Sequence, residues 1–179
     1  MNPSFRLPLA GHTLTNLDNA MNKPDKSRYG VLIADDSEAD RFLLRKAVGE
    51  AASLRTVAEV SDGVGVVAYL RGQGEFSHRR EFPIPDLLLL DLNMPRMDGF
   101  EVLEWLRTQR FGDLNVVVLT NSLHSEHLKR AMDLGAHFYQ VKPRSTEDRD
   151  ALILALEQYL HGISVPAHFA APRLSCSIA

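Results

Sequence analysis

Three short runs of consecutive apolar residues constrain the fold of this 179-residue chain most strongly. They lie at residues 31–33, 87–90 and 116–119. Strands that helices cover on both faces have continuous apolar sequences, whereas strands with one wet face alternate apolar and polar residues. The runs therefore predict parallel β-strands inside a sheet that has helices on both sides.

Strand-like and helix-like segments alternate along the chain in five pairs. Such alternation is typical of an α/β fold with a parallel sheet. We therefore predict one doubly wound α/β domain at residues 29–162, preceded by a mobile arm at 1–28 and followed by a tail at 163–179. Segment 72–85, which contains glycines and prolines, predicts a long exposed loop. The predicted strands are 30–34, 54–60, 86–91, 115–120 and 138–141, and the predicted helices are 37–51, 63–71, 100–111, 124–134 and 146–161.

The charge and composition of the chain narrow its classes of function. The formal net charge is −3, whereas nucleic-acid binders usually carry a basic patch or stripe. The sequence has no run of the roughly 20 apolar residues that a membrane span requires. Its single cysteine, Cys176, suits a reducing compartment. We therefore expect a cytoplasmic protein that binds neither nucleic acid nor membrane, and whose partners are proteins or small anions.

Acidic and polar residues stand at the ends of the predicted strands. Asp35 and Asp36 follow the first strand, and Asp91 ends the third. Thr120 ends the fourth strand and Lys142 follows the fifth. In open parallel sheets, ligands bind beyond the carboxyl ends of the strands, so these residues are predicted to share one site. Taken singly, each also has an ordinary structural interpretation, because acids cap helices and polar residues are common in turns.

Three carboxylates at one edge of a sheet repel one another unless a cation joins them. Mg²⁺ prefers oxygen ligands, commonly takes one or two carboxylates and keeps several waters. We predict that Asp36, Asp91 and the backbone carbonyl of Asn93 are its ligands, with Asp35 acting through a bound water. The predicted cofactor is therefore Mg²⁺.

The same residues suit phosphoryl transfer. A carboxylate beside Mg²⁺ can attack a phosphoryl group, because positioning and charge neutralisation supply most of the catalysis in this reaction. Asp91 is the candidate nucleophile. Thr120 and Lys142 would donate hydrogen bonds to the phosphoryl oxygens.

The motif DLNMPRMDG at residues 91–99, together with Asp35, Asp36, Thr120 and Lys142, resembles the signature of two-component response-regulator receiver domains. The resemblance covers residues 29–161. It implies a flavodoxin-like receiver fold with a five-stranded sheet in the order 2-1-3-4-5. It also implies Mg²⁺-dependent phosphorylation of Asp91 by a partner histidine kinase or phosphotransfer protein. Such a protein is not an enzyme in the usual sense, because its only chemistry is self-phosphorylation and self-dephosphorylation.

A narrower resemblance is to the stand-alone receivers that are paired with phytochrome-type histidine kinases. It rests on the segment RGQGEF at residues 71–76 and on the absence of an output domain in the sequence. Tyr139 matches the switch aromatic of the family, which turns inward when a hydroxyl at the position of Thr120 is drawn to the phosphoryl group. The resemblance thus implies a conformational switch that signals to a downstream protein target.

Other interpretations of the sequence lead to different functions. A receiver-like module that signals without phosphorylation would need none of the acidic cluster. A phosphohydrolase of the haloacid dehalogenase type would need an aspartate two residues after its nucleophile, where this chain has Asn93. The last predicted helix has a wide apolar face, which predicts either a homodimer through that helix or deeper burial. The face consists of Leu152, Ile153, Leu154, Leu156, Tyr159 and Leu160.

Overall fold

The computed structural model describes residues 28–121 and 124–165, so the predicted arm and tail lie almost entirely outside the described residues. Five strands alternate with five helices, and a short 3-10 helix at Gly74–Ser77 precedes the third strand. The strands are β1 Tyr29–Ala34, β2 Leu54–Val60, β3 Leu87–Asp91, β4 Asn115–Thr120 and β5 Phe138–Val141, and the helices are α1 Glu38–Glu50, α2 Gly63–Arg71, α3 Gly99–Arg107, α4 Ser125–Asp133 and α5 Thr146–Leu160.

The strands form one parallel sheet in the order β2-β1-β3-β4-β5, which confirms the predicted topology. β1 and β3 are neighbours in the centre of the sheet, with Ala34 opposite Leu90. Asp91 pairs with Leu119 of β4. This register brings the end of β3 beside the ends of β1 and β4, where the sequence places the predicted site.

Side chains of the central strands alternate between two apolar clusters, one on each face of the sheet. Leu32, Leu88 and Val118 pack with residues of α2, α3 and α4. Val31, Leu89 and the other alternate residues pack with α1 and α5. Because both faces are covered, each strand position is apolar, and this explains the continuous runs in the sequence. None of the helices described here has the length and apolarity that a bilayer crossing requires.

Helix α3 ends at Arg107, four residues before the predicted end at residue 111. The hydroxyl and the backbone N–H of Thr108 both donate to the carbonyl of Trp105, at 2.7 and 3.0 Å. A threonine that bonds a backbone carbonyl offers the chain an alternative to further helix. The predicted helix was therefore too long, because hydrophobic periodicity does not detect the competition of the Thr108 side chain for a backbone carbonyl.

The segment before β3 is folded against the domain, so the prediction of an exposed loop was wrong in part. Phe76 is buried and its ring lies edge-on to Tyr69, with 5.0 Å between the ring centroids. The guanidinium of Arg79 donates to the carbonyls of Tyr69 and Leu70, at 2.8 and 2.6 Å. Arg79 thus bonds carbonyls in the last turn of α2 from the segment that follows the helix.

Asp86 joins three strands at the end of the sheet opposite the predicted site. Its Oδ2 accepts a hydrogen bond from the backbone N–H of Gly30 at 2.6 Å, and its own N–H donates to the Gly30 carbonyl at 2.9 Å. The Asp86 carbonyl accepts from the N–H of Asn115 at 3.0 Å. These contacts help to hold β1 and β3, which carry the acidic residues, in register.

We expect Asp86→Ala to lower the free energy of unfolding by about 1 kcal/mol, because it removes the side-chain acceptor of the Gly30 N–H. Urea unfolding followed by circular dichroism measures the change. Asp86→Asn keeps an oxygen acceptor and should lose less, whereas Asp113→Ala removes an acid from the nearby exposed turn and serves as the control. Equal stability of the wild type and Asp86→Ala would contradict this role of Asp86.

Candidate functional site

The carboxyl ends of four strands bring the predicted residues to one edge of the sheet. Asp35 follows β1, Asp91 is the last residue of β3, Thr120 is the last residue of β4 and Lys142 follows β5. All four are buried. The Lys142 N–H donates to the Thr120 carbonyl at 2.7 Å, which ties the end of β5 to the end of β4.

Three carboxylates of the site are close enough to share one cation. Asp35, Asp36 and Asp91 each offer an oxygen, and these oxygens lie within 4.8 Å of one another. Asp36 is exposed, so the cluster opens to solvent on one side. Oδ1 of Asp91 is buried and accepts no hydrogen bond from any residue that the structure describes. An all-oxygen donor set with an unpaired buried carboxylate oxygen fits Mg²⁺ or a similar divalent cation.

Lys142 supplies the positive charge inside the cluster. Its Nζ lies 2.8 Å from Oδ2 of Asp35, 3.1 Å from Oδ2 of Asp40 and 3.2 Å from Oδ2 of Asp91. Burial acts to lower the pKa of the Lys142 ammonium, but the three carboxylates outweigh burial and raise it. The ammonium is therefore held in its charged form by its neighbours.

Asp35 is the most constrained of the carboxylates. Burial raises its pKa, and Asp91 adds to this effect, whereas Lys142 and the backbone N–H of Ser37 oppose it. The Ser37 N–H donates to Oδ1 of Asp35 at 3.0 Å. One oxygen of Asp35 thus accepts a hydrogen bond at the start of α1, and the other faces Lys142.

The loop after Asp91 turns sharply back beneath the site. The Gly99 N–H donates to the Leu92 carbonyl at 3.0 Å, and a Cβ on Gly99 would lie 2.4 Å from the carbonyl oxygen of Asp91. Only glycine permits this close approach of α3 to the end of β3. The motif DLNMPRMDG therefore requires its final glycine on steric grounds.

Arg96 and Asp62 fasten the middle of this loop to the start of α2. Arg96 has a positive φ of 67°, and its guanidinium forms an ion pair with the buried carboxylate of Asp62. The Gly63 N–H donates to the Met97 carbonyl at 3.0 Å. The loop that carries Asn93 is thus held at two points.

Asn93 and Tyr139 are the remaining residues of the predicted site. Asn93 is two residues beyond Asp91 on the exposed surface of the loop, and its part as a metal ligand stays a prediction. Tyr139 is 1% exposed, so its ring points inward. Burial raises the pKa of the Tyr139 hydroxyl, and the side chain of Thr120 lowers it in part. The two residues of the predicted switch are therefore neighbours.

Sequence reasoning missed Asp40 and the pair Asp62 and Arg96. Asp40 lies in the first turn of α1, where an acid three residues after Ser37 indicates only a helix cap. Asp62 follows β2 at the same edge of the sheet and caps α2 through the Gly65 N–H at 2.8 Å. For Asp62, an acid after a strand and before a helix was an available signal.

We expect Mg²⁺ or Mn²⁺ to raise the melting temperature, because a ligand that binds the folded state stabilises it by about 2.7 kcal/mol at a hundredfold excess over its Kd. Differential scanning calorimetry with and without the cation measures the rise. Asp36→Asn should lose most of it, and Glu38→Gln, which changes an exposed acid outside the cluster, should keep it. A full rise in Asp36→Asn would place the cation elsewhere.

Comparison with known proteins agrees with this geometry. The protein-family model of the response regulator receiver domain matches residues 31–156 of the chain. The chain is 31% identical to response regulator Rcp1 of Synechocystis sp. over 139 residues, which are 76% of this chain and 92% of Rcp1. The crystal structure of the Mn²⁺-bound form of Rcp1 covers 78% of this chain and 99% of its own, with a TM-score of 0.64 and 30% identity. The phosphorylated cyanobacterial phytochrome response regulator RcpA covers the same shares, with a TM-score of 0.67 and 29% identity. The chain belongs to the response-regulator receiver family.

Proposed function

We propose that this chain is a response regulator in which Asp91 accepts a phosphoryl group from a histidine kinase, or from a phosphotransfer protein, in a Mg²⁺-dependent reaction. One observation carries the proposal. Asp91 is a buried carboxylate with one oxygen that no described residue hydrogen-bonds and the other 3.2 Å from the Lys142 ammonium. The proposed nucleophile, Asp91, thus lies beside Lys142, whose ammonium can donate hydrogen bonds to the oxygens of the transferred phosphoryl group.

The proposed reaction forms a bond between an oxygen of Asp91 and phosphorus while the bond from phosphorus to the donor nitrogen breaks. The product is an acyl phosphate on Asp91, and the donor histidine leaves as the free imidazole after taking up a proton. When bound, Mg²⁺ would be held by Asp36, Asp91 and the Asn93 carbonyl, with Asp35 behind a water, and would neutralise charge on the phosphoryl oxygens. The Lys142 ammonium and the Thr120 hydroxyl donate to those oxygens.

The proposed signal is a shift between two conformations of the β4 and β5 end of the sheet. A phosphoryl group on Asp91 draws the Thr120 hydroxyl towards itself and so favours the inward position of Tyr139, which the ring has in this structure, over an outward one. The inward ring of Tyr139 and its interaction with Thr120 support this assignment. The shift would alter the surface around β5 and so change the affinity for a protein target.

The relatives support a narrower form of the proposal. One solved relative is described as a phosphorylated phytochrome response regulator, so we propose a phytochrome-type histidine kinase as the phosphoryl donor. Self-phosphorylation and self-dephosphorylation would then be the only chemistry of the chain. A cytoplasmic location, where such kinases present their phosphohistidine, completes the proposal.

We expect acetyl phosphate with Mg²⁺ to produce one phosphorylated species, because a small acyl phosphate can replace the kinase as donor. Phosphate-affinity electrophoresis should show a stoichiometric, Mg²⁺-dependent shift in the wild type and none in Asp91→Asn. Asp98→Asn, which changes an acid of the same loop outside the cluster, is the matched control and should shift like the wild type.

Other outcomes of this experiment would favour the alternative functions. Rapid release of phosphate over many turnovers would favour a phosphohydrolase of the haloacid dehalogenase type. Absence of any shift with either acetyl phosphate or a phosphorylated phytochrome-type kinase would favour a module that signals without phosphorylation.

A second copy of the chain is a further proposed partner. Leu154 of α5 is 56% exposed, although Leu152, Ile153 and Leu156 beside it are buried. Tyr159 and Leu160 of the same helix are half-buried, and this apolar surface together with Leu154 supports a homodimer through α5. The proposed dimer would carry two equivalent copies of the surface that phosphorylation alters.

We expect Leu154→Glu to weaken self-association at least tenfold, because a charge buried in an interface without a partner is costly. Sedimentation equilibrium of the phosphorylated protein measures the dimer Kd. Phe42→Glu, which changes a residue of α1 that is 53% exposed, is the matched control. An unchanged Kd in Leu154→Glu would exclude this face of α5 as the interface.

A further inference from the structure

Two helices of this domain begin with the same residues but use them differently. Helix α1 follows Ser37 and has Asp40 as its third residue, and helix α5 follows Ser145 and has Asp148 as its third residue. At both starts the serine hydroxyl accepts from the backbone N–H of the aspartate. The two carboxylates, however, have different partners.

In α5 the carboxylate completes a capping box. Oδ2 of Asp148 accepts the backbone N–H of Ser145 at 3.3 Å, as expected for an acid three residues after the cap. In α1 the corresponding N–H, that of Ser37, is already bonded to Oδ1 of Asp35 at 3.0 Å. The carboxylate of Asp40 is therefore not required at the cap and is available to another donor.

The carboxylate of Asp40 instead contacts Lys142. Nζ of Lys142 donates a hydrogen bond to Oδ2 of Asp40 at 3.1 Å. Nζ also lies 2.8 Å from Oδ2 of Asp35 and 3.2 Å from Oδ2 of Asp91, so three carboxylates surround the ammonium. Asp40 thus adds a hydrogen bond from α1 to an ammonium that also faces the carboxylates at the ends of β1 and β3.

Asp40 also lies outside the set of carboxylates that would hold the cation. Asp35, Asp36 and Asp91 gather within 4.8 Å of one another, and Asp40 is not among them. A cation and a phosphoryl group would engage Asp35 and Asp91 and weaken their hold on Lys142. Asp40 would keep its contact throughout, because it belongs to α1 and its backbone is fixed by the Ser37 cap.

We propose that Asp40 is a positioning residue that holds the Lys142 ammonium in place to receive the phosphoryl group. The inference rests on the proposed function, since it assigns a part in phosphoryl binding at the same site. An ammonium has three donors, so it can serve Asp40, Asp35 and a phosphoryl oxygen together. Fixing the flexible lysine stem in advance lowers the entropy that is lost when the phosphoryl group arrives.

The affinity for beryllofluoride, a non-covalent mimic of the phosphoryl group, tests the proposal without any catalytic step. The full chain is titrated with beryllofluoride at saturating Mg²⁺, and bound fluoride is followed by ¹⁹F NMR. We expect Asp40→Ala to weaken binding by about two- to fivefold, the range for a partly exposed ion pair. Asp40→Asn keeps an oxygen that can accept from Lys142, so its affinity should lie between those of the wild type and Asp40→Ala.

A double-mutant cycle with Lys142→Ala separates positioning from a general structural role. If Asp40 acts through Lys142, Asp40→Ala should cause no further loss of beryllofluoride affinity in the Lys142→Ala background. Asp148→Ala removes the equivalent acid of α5, with its charge and its cap, and should bind beryllofluoride like the wild type. Far-ultraviolet circular dichroism and Mg²⁺ affinity, measured for every variant, confirm that each binds the cation in a folded state.

Several results would overturn the inference. Unchanged or tighter binding in Asp40→Ala would show that Asp40 does not hold Lys142 for the phosphoryl group. An equal loss in the presence and absence of Lys142 would show that Asp40 acts by another route. Failure of the wild type to bind beryllofluoride with Mg²⁺ would instead overturn the proposed function, and this inference would fall with it.

Discussion

The charge of Lys142 is the interaction on which the rest of this site depends. Burial disfavours an ionised carboxyl group, and it raises the pKa of Asp35. Lys142 lies within 3.2 Å of oxygens from Asp35, Asp40 and Asp91, and its ammonium keeps its proton because of them. Without this ammonium, the ends of β1 and β3 would bring buried carboxylates together without the charge that lies between them.

The fold supplies this arrangement through backbone geometry. Parallel strands end at the same edge, and the register that sets Ala34 beside Leu90 brings Asp35 close to Asp91. The close approach of Gly99 to the Asp91 carbonyl then holds the following loop beneath Asp91. Far from the site, Asp86 ties β1, β3 and β4 together. The relative positions of the site residues, which lie a few ångströms apart, thus depend on contacts along the whole length of the strands.

Sequence reasoning succeeded where a pattern has a single structural solution. Continuous apolar runs fit strands covered on both faces, and residues at their carboxyl ends must share one edge, so the parallel sheet and the grouping of Asp35, Asp91 and Lys142 could be predicted. The order of the strands came from the resemblance to receiver domains. It failed where the outcome depends on distant partners. Arg79 folds its segment back by bonding the end of α2, and no local feature of the sequence reveals that contact. From the sequence, Asp40 is predicted to be an ordinary capping acid. The structure shows instead that the Ser37 N–H is bonded to Asp35, so the Asp40 carboxylate is available to Lys142.

The resting site is incompletely neutralised, and this imbalance is itself the basis of the proposed switch. Lys142 contacts the carboxylates of Asp35, Asp40 and Asp91, and Asp36 adds a fourth carboxylate to the cluster. Excess negative charge favours a divalent cation, and the cation in turn makes the site receptive to an anionic phosphoryl group. Each arrival changes which oxygens compete for Lys142. Because the Lys142 N–H bonds the Thr120 carbonyl and the Thr120 side chain interacts with Tyr139, a change of partners at Lys142 would reach β5 in the proposed switch.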